Sequence, residues 1–131
     1  MNKATTSNKR KIMFEIYKKL LNYTCAYPQC ESGVDIEAHH IRPLYKGGID
    51  AFWNIIALCK ECHHGRKLHS NSERNIVSLY VYKSMHESRN VGFYFDEQEQ
   101  GFWEKYKIAI KNMNATDEEK FIALNISELK T

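Results

Sequence analysis

The sequence predicts a small α+β domain, and three observations predict it. An amphipathic stripe runs through residues 8–21, an alternating segment over 34–41 and an apolar run over 54–58 supply two short strand candidates, and helical periodicity returns beyond residue 75. At 131 residues the chain suffices for one ordinary domain, or for a compact module with an attached helical segment. The composition, 43% hydrophobic and 27% charged with two prolines and six glycines, is that of a folding globular chain.

The first helix is written in Ile12, Ile16, Leu20 and Phe14, Tyr17, Leu21, which recur at three- and four-residue spacings between lysines and Arg10. Asn22 and Tyr23 end it. The Tyr27-Pro28 step then interrupts regular structure between Cys25 and Cys30 and predicts a knuckle-like turn. Val34 to Ile41 alternates apolar and polar residues as a half-buried strand does, and its end carries His39 and His40. Arg42-Pro43 stops that strand, and Gly47-Gly48 opens a loop that closes near Trp53. Asn54 to Leu58 fits a second strand or the start of a helix.

Asn75 to Met85 fits a helix; Val77, Leu79 and Val81 also fit a strand with 91–95 as its hairpin partner, and the helical reading is preferred. Glu97 to Met113 reads as a helix with Phe102, Tyr106, Ala109, Ile110 and Met113 on one face. Thr116 to Glu119 has the form of a capping box that starts a last helix through Leu129. Two units follow: residues 1–69, a helix plus a compact core, and 70–131, a mainly helical extension packed on that core or mediating assembly.

No apolar run approaches the roughly 20 residues of a membrane-spanning helix, and the first residues lack the apolar core of a secretion signal, so a cytoplasmic chain is expected. Charge is uneven. Residues 1–69 hold eleven Lys/Arg against six Asp/Glu (+5), and residues 70–131 hold eight against ten (−2). A polyanion such as nucleic acid is drawn to the first half. The Lys9-Arg10-Lys11 cluster reads as a solvated helix end.

All four cysteines fall in two short-spaced pairs, Cys25-x4-Cys30 and Cys59-x2-Cys62, with 28 residues between the pairs. Each turn brings two sulfurs to one side, so a tetrahedral zinc need only join two pre-shaped halves, and its binding becomes folding free energy. Reduced buried thiols, or a redox pair at Cys59 and Cys62, are the other readings. Five of the six histidines lie between residues 39 and 69. On a strand His39 and His40 point to opposite sides, which suits two different jobs. Hydrolysis of a phosphodiester needs a base for the attacking water and positive charge on the phosphate, and histidines with one divalent cation supply both. His86, far from this group, reads as a surface side chain.

The run Glu37-Ala-His39-His40-Ile41-Arg-Pro43, then Gly47-Gly48, Trp53-Asn54-Ile-Ile-Ala-Leu58-Cys59 and Cys62-His63 resembles the HNH endonucleases over residues 25–69. The resemblance implies a ββα-metal core stapled by a zinc on Cys25, Cys30, Cys59 and Cys62. It implies His40 as the general base that activates water, His39 and His63 as ligands of the catalytic cation, and Asn54 as the amide that holds the loop. Mg²⁺ or Mn²⁺ is the implied cation, although Zn²⁺ or Ni²⁺ can occupy such a site. Many relatives have a further histidine four residues past the His63 position; Lys67 stands there, so His64 and His69 are the remaining ligand candidates. Arg42, Lys46, Arg66 and Lys67 are placed to meet DNA phosphates, and the chain is expected to act on DNA as a monomer or a homodimer. The competing expectation is a non-catalytic zinc-binding module that recognises nucleic acid or protein.

Overall fold

The computed structural model describes residues 6–30, 32–65, 68 and 72–125. Helix α1, Thr6–Leu20, buries Met13, Ile16, Tyr17 and Leu20 along one face and has Lys18 and Lys19 in its last turn, against the negative end of the helix dipole. It stops where expected. Asn22 and Tyr23 both turn left-handed (φ 58° and 52°), and the Tyr23 N–H reaches back to the Lys18 carbonyl at 2.9 Å.

Strands β1, Ile36–His40, and β2, Ile55–Cys59, form a two-stranded antiparallel sheet with Ile36 opposite Cys59, Ala38 opposite Ala57 and His40 opposite Ile55. The alternation predicted a strand over 34–41, and the observed one is shorter because Asp35 turns left-handed (φ 53°) before it begins. β2 settles the open choice at 54–58 as a strand. It is buried throughout, on both faces, which explains why its sequence shows a continuous apolar run and no alternation.

The connection between the strands contains two single 3₁₀ turns, Leu44–Lys46 and Phe52–Asn54. Gly47 is left-handed (φ 85°). At Gly48 a Cβ would sit 1.9 Å from the Arg42 carbonyl oxygen, so only glycine lets the loop pass that close to its own start.

Helix α2, Glu73–Val91, is capped by Ser72, whose hydroxyl accepts the Asn75 N–H at 3.2 Å, and is ended by Gly92 at φ 87°. The strand alternative over 77–81 and its partner at 91–95 are thereby excluded: the same β-branched residues lie on a helix. Helix α3, Phe102–Asn112, starts five residues later than the periodicity predicts. Asp96 is the reason, since its carboxylate accepts the Gln98 N–H at 2.9 Å and its carbonyl the Glu99 N–H at 3.0 Å, which holds 96–100 in turns. Helix α4, Asp117–Leu124, begins with the predicted capping box: Thr116 and Glu119 each accept the other's backbone N–H. The sequence predicts this helix through Leu129, but it ends at Leu124 with Asn125 as its cap; the residues after Asn125 lie outside the described ones.

β2 divides the interior. Ile55 and Ala57 join Met13, Ile16, Tyr17, Phe52, Trp53, Phe95, Phe102 and Tyr106 in an aromatic cluster with the helices, while Ile56, Leu58 and Cys59 join Cys25, Cys62, Ile76 and Leu79 in a second one. Beneath the first lies a fully buried ion pair, Lys83 with Glu87. Glu87 also accepts the Tyr17 hydroxyl at 2.5 Å and the Phe95 N–H at 2.8 Å, and Lys83 donates to the Phe52 carbonyl at 2.7 Å. Among the described residues, no helix is long and apolar enough to cross a membrane.

Candidate active site and metal centres

The Cys25–Cys30 turn and the start of a π-helical turn, Glu61–Gly65, bring the two cysteine pairs together. All four sulfurs lie within 4.8 Å of one another, and Cys30 Sγ is 3.9 Å from Cys59 Sγ. A tetrahedron with Zn–S bonds of about 2.3 Å has edges of about 3.8 Å, so the set fits such a cation. Burial pushes the Cys25 thiol up, a penalty on the thiolate that a bound dication offsets.

The loop between the strands is held by one amide. Asn54 is buried, its Nδ2 donates to the Arg42 and Ile49 carbonyls at 2.9 and 2.8 Å, and its Oδ1 accepts the Arg42 N–H at 3.0 Å and the Tyr80 hydroxyl at 2.7 Å. Every hydrogen-bonding position of the amide is used. The side chain therefore fixes where the loop leaves β1 and where it returns.

The sheet separates the two adjacent histidines. His39 shares its face with Glu37 and stacks on His63, with ring centroids 4.0 Å apart and planes at 17°. Carbonyl and carboxylate oxygens can only accept, so the hydrogen bonds of these rings assign their protons. His39 Nδ1 lies 3.1 Å from the His40 carbonyl, and His63 Nδ1 lies 2.9 Å from Glu37 Oε1. Both rings thus carry hydrogen on Nδ1, which in a neutral imidazole leaves the lone pair on Nε2. Among the described residues His39 Nε2 is buried with no hydrogen-bond partner, and burial, with the neighbouring His63, lowers the ring's pKa to about 4, which keeps it neutral. A neutral, orphaned imidazole nitrogen fits a metal ligand. The stack directs the two lone pairs along near-parallel planes, so a shared cation requires one ring to turn about its Cβ–Cγ bond. The hydrogen bond from His63, with the charges nearby, holds the Glu37 carboxyl below its usual range. His64 is exposed, with Nε2 3.4 Å from Glu37 Oε1, and Glu37, His63 and His64 form a second group whose ligand atoms all lie within 4.8 Å.

His40 faces the other way, toward α1. Its Nε2 lies 2.9 Å from Asp50 Oδ1, Phe14 packs against the ring at a steep angle with centroids 5.4 Å apart, and Arg10 Nε donates to Asp50 Oδ2 at 2.7 Å.

Residues 24–70 match the HNH endonuclease family. This segment is an HNH endonuclease domain. A stretch of 46 residues is also 41% identical to the Type IV methyl-directed restriction enzyme EcoKMcrA of Escherichia coli (strain K12), covering 35% of this chain and 17% of that enzyme. The chain thus matches less than a fifth of that relative's length. No solved structure matches.

Within the HNH domain the structure brings His39 and His63 together and sets His40 apart on the opposite face of β1. Arg42, inside the domain, forms a bidentate pair with Glu73 of α2, both bonds at 3.1 Å, and Lys46 is exposed on the loop. Arg66, Lys67 and His69 lie outside the described residues. Two readings of the sequence are corrected, and three residues gain a place the sequence did not signal. Arg10 is no solvated helix end, because its guanidinium is tied to buried Asp50. Asp50 itself, Glu37 and Tyr80 received no role, since a carboxylate or phenol acquires one only when the fold sets it beside a particular histidine or amide. His86 is buried and not on the surface: its Nε2 bonds Thr24 Oγ1 at 2.8 Å, and its Nδ1 has no partner among the described residues. The helical positions Ile76, Leu79 and Lys83, all buried, put His86 on the inward face and could have signalled this.

Proposed function

We propose that this chain is a metal-dependent DNA endonuclease that hydrolyses phosphodiester bonds with His40 as general base, His39 and His63 as ligands of one divalent cation, and a structural zinc on Cys25, Cys30, Cys59 and Cys62. The observation that carries the reading is the stacking of His39 on His63, with His39 Nε2 buried and, among the described residues, without a hydrogen-bond partner. The His63 Nδ1 bond to Glu37 gives that ligand the carboxylate support that metal-bound histidines commonly have. Mg²⁺ or Mn²⁺ is the cation we favour, with Zn²⁺ or Ni²⁺ able to take its place, and when bound it supplies positive charge to the scissile phosphate. Four thiolates on one zinc suit a reducing cytoplasm.

In the reaction, the imidazole of His40 removes a proton from water as its oxygen bonds to phosphorus. The P–O3′ bond breaks, the leaving oxygen gains a proton from solvent, and 5′-phosphate and 3′-hydroxyl ends result. Asn54 keeps the loop that follows His40 in register. Arg42, Lys46, Arg66 and Lys67 neutralise flanking phosphates; Arg42 exchanges its Glu73 partner for DNA. Residues 1–69 supply the chemistry and 70–131 frame it. The restriction enzyme's name describes methyl-directed action, and the shared stretch supports the nuclease part of that description for this chain.

Nicking of supercoiled plasmid with Mg²⁺ or Mn²⁺ tests the reading, with EDTA and His40→Ala as controls. Metal-dependent nicking that disappears in the variant is expected. DNA binding without cleavage under any divalent ion would instead establish a non-catalytic recognition module.

A further inference from the structure

Asp50 divides its carboxylate between two elements. Oδ1 meets His40 Nε2 at 2.9 Å and Oδ2 meets Arg10 Nε at 2.7 Å, and only 5% of the side chain is exposed. A carboxylate so buried stays charged when strong donors satisfy it, and a guanidinium with an imidazole N–H does this. Because the carboxylate only accepts, His40 Nε2 carries a hydrogen, and in the neutral ring the lone pair is then on Nδ1. Phe14, with its ring centroid 5.4 Å away, opposes a ring flip that would reverse this.

We propose that Asp50, anchored by Arg10, is the positioning residue for His40: it selects the tautomer in which Nδ1 accepts the proton of the attacking water. The proposal rests on the reading of His40 as the base. When Nδ1 takes that proton the ring becomes a cation, and the Asp50 charge, already in place and shielded from water, stabilises it until Nδ1 returns the proton to solvent. Arg10 belongs to α1, outside the 24–70 segment. The helix that precedes the HNH domain is therefore part of its proton-transfer apparatus.

The test combines ¹⁵N NMR of His40 at pH 8 with plasmid nicking in Mn²⁺. In the wild type the expected signature is a protonated Nε2 and an unprotonated Nδ1. Asp50→Asn lets an amide donate to Nε2, so the proton should move to Nδ1 and kcat should fall by about 10²-fold or more, with KM within about twofold. Arg10→Gln, which leaves the carboxylate present but unanchored, should lower kcat by about tenfold. A wild-type His40 protonated on Nδ1 overturns the proposal, whether or not Asp50→Asn folds. So does an Asp50→Asn protein that keeps both tautomer and rate. His40→Ala, run in parallel, separates the two levels: retained nicking removes His40 as base and with it the nuclease mechanism, whereas loss of nicking beside a fully active Asp50→Asn removes only the role of Asp50.

Discussion

The two faces of the β1–β2 hairpin are built on different principles. Toward the helices the sheet presents Ala57, Ile55 and His40 to an aromatic cluster of Tyr17, Phe52, Phe95, Phe102 and Tyr106, with ring centroids from 5.5 to 6.3 Å apart. That face has ample apolar area to bury. Toward the cysteines it presents Leu58, Ile56 and His39 to a thinner cluster whose centre is four sulfurs. Four cysteines placed together can ionise and hold a cation at that centre. The comparison suggests why the proposed chemistry divides as it does: the histidine proposed as base sits on the face built by aromatic packing, and the proposed cation ligands sit on the face whose sulfurs could hold a metal.

The sharpest way to break the comparison is to remove the proposed structural zinc. β2 belongs to both clusters, so Cys59→Ser, or chelation, should abolish the fold in one transition and not strip one face. The expected loss is on the order of 10 kcal/mol, the scale of structural zinc binding. Metal content measured beside Trp fluorescence checks it, since Trp53 and Trp103 lie on the aromatic side. Retention of the native Trp signal in metal-free protein would make the faces independent units. The next effect lies on the aromatic face itself. Lys83→Met leaves the Glu87 carboxylate buried without its cation and should cost about 3–5 kcal/mol in urea unfolding. Adding Glu87→Leu should recover only part of that, because the Phe95 N–H and the Tyr17 hydroxyl then lose the carboxylate they donate to. Full recovery would reduce the pair to packing.

What the sequence made legible follows the same division. Short-range geometry was readable: the cysteine pairs, the α1 stripe, the Thr116–Glu119 cap and the opposite orientation of His39 and His40 all depend on spacings of a few residues. The HNH segment was readable because its residues recur in a fixed order. Contacts across long separations were not. Arg10 and Asp50 are 40 positions apart, Tyr17 and Glu87 are 70, and Thr24 and His86 are 62. No local periodicity encodes such partners, so the carboxylate behind His40 and the buried His86 emerge only from the packing of α1 and α2 against the hairpin.

His86 gives a smaller effect that sharpens the account of the helical frame. Burial, with the Arg89 and Lys83 charges, lowers its pKa from the ordinary 6.5 to about 4. The folded protein therefore binds its proton less readily than the unfolded chain does. Its contribution is fully present above pH 6.5 and is lost as the pH falls from 6.5 through about 4, by roughly 3 kcal/mol. His39, also held near 4 by burial, adds a loss over the same window. His86→Gln should accordingly flatten the acid-side slope of stability by about half without removing it. An unchanged slope in the variant would mean that His86 is protonated in the folded state.

The smallest expected effect lies where α2 reaches the loop of the HNH domain. Tyr80 donates to Asn54 Oδ1, yet that oxygen also holds the Arg42 N–H, and the amide nitrogen keeps both of its carbonyl partners. Tyr80→Phe thus removes one of four bonds and leaves the acceptor satisfied, so the cost should be about 1 kcal/mol, near that of a single neutral hydrogen bond. Asn54→Ala removes all four, frees two carbonyls and one N–H in the loop, and should cost several times more. Urea midpoints for the two variants, measured side by side, give the ratio. A Tyr80→Phe loss equal to that of Asn54→Ala would show that α2, and not the amide, holds the loop in place, and the boundary between the HNH domain and its helical frame would have to be redrawn to include α2.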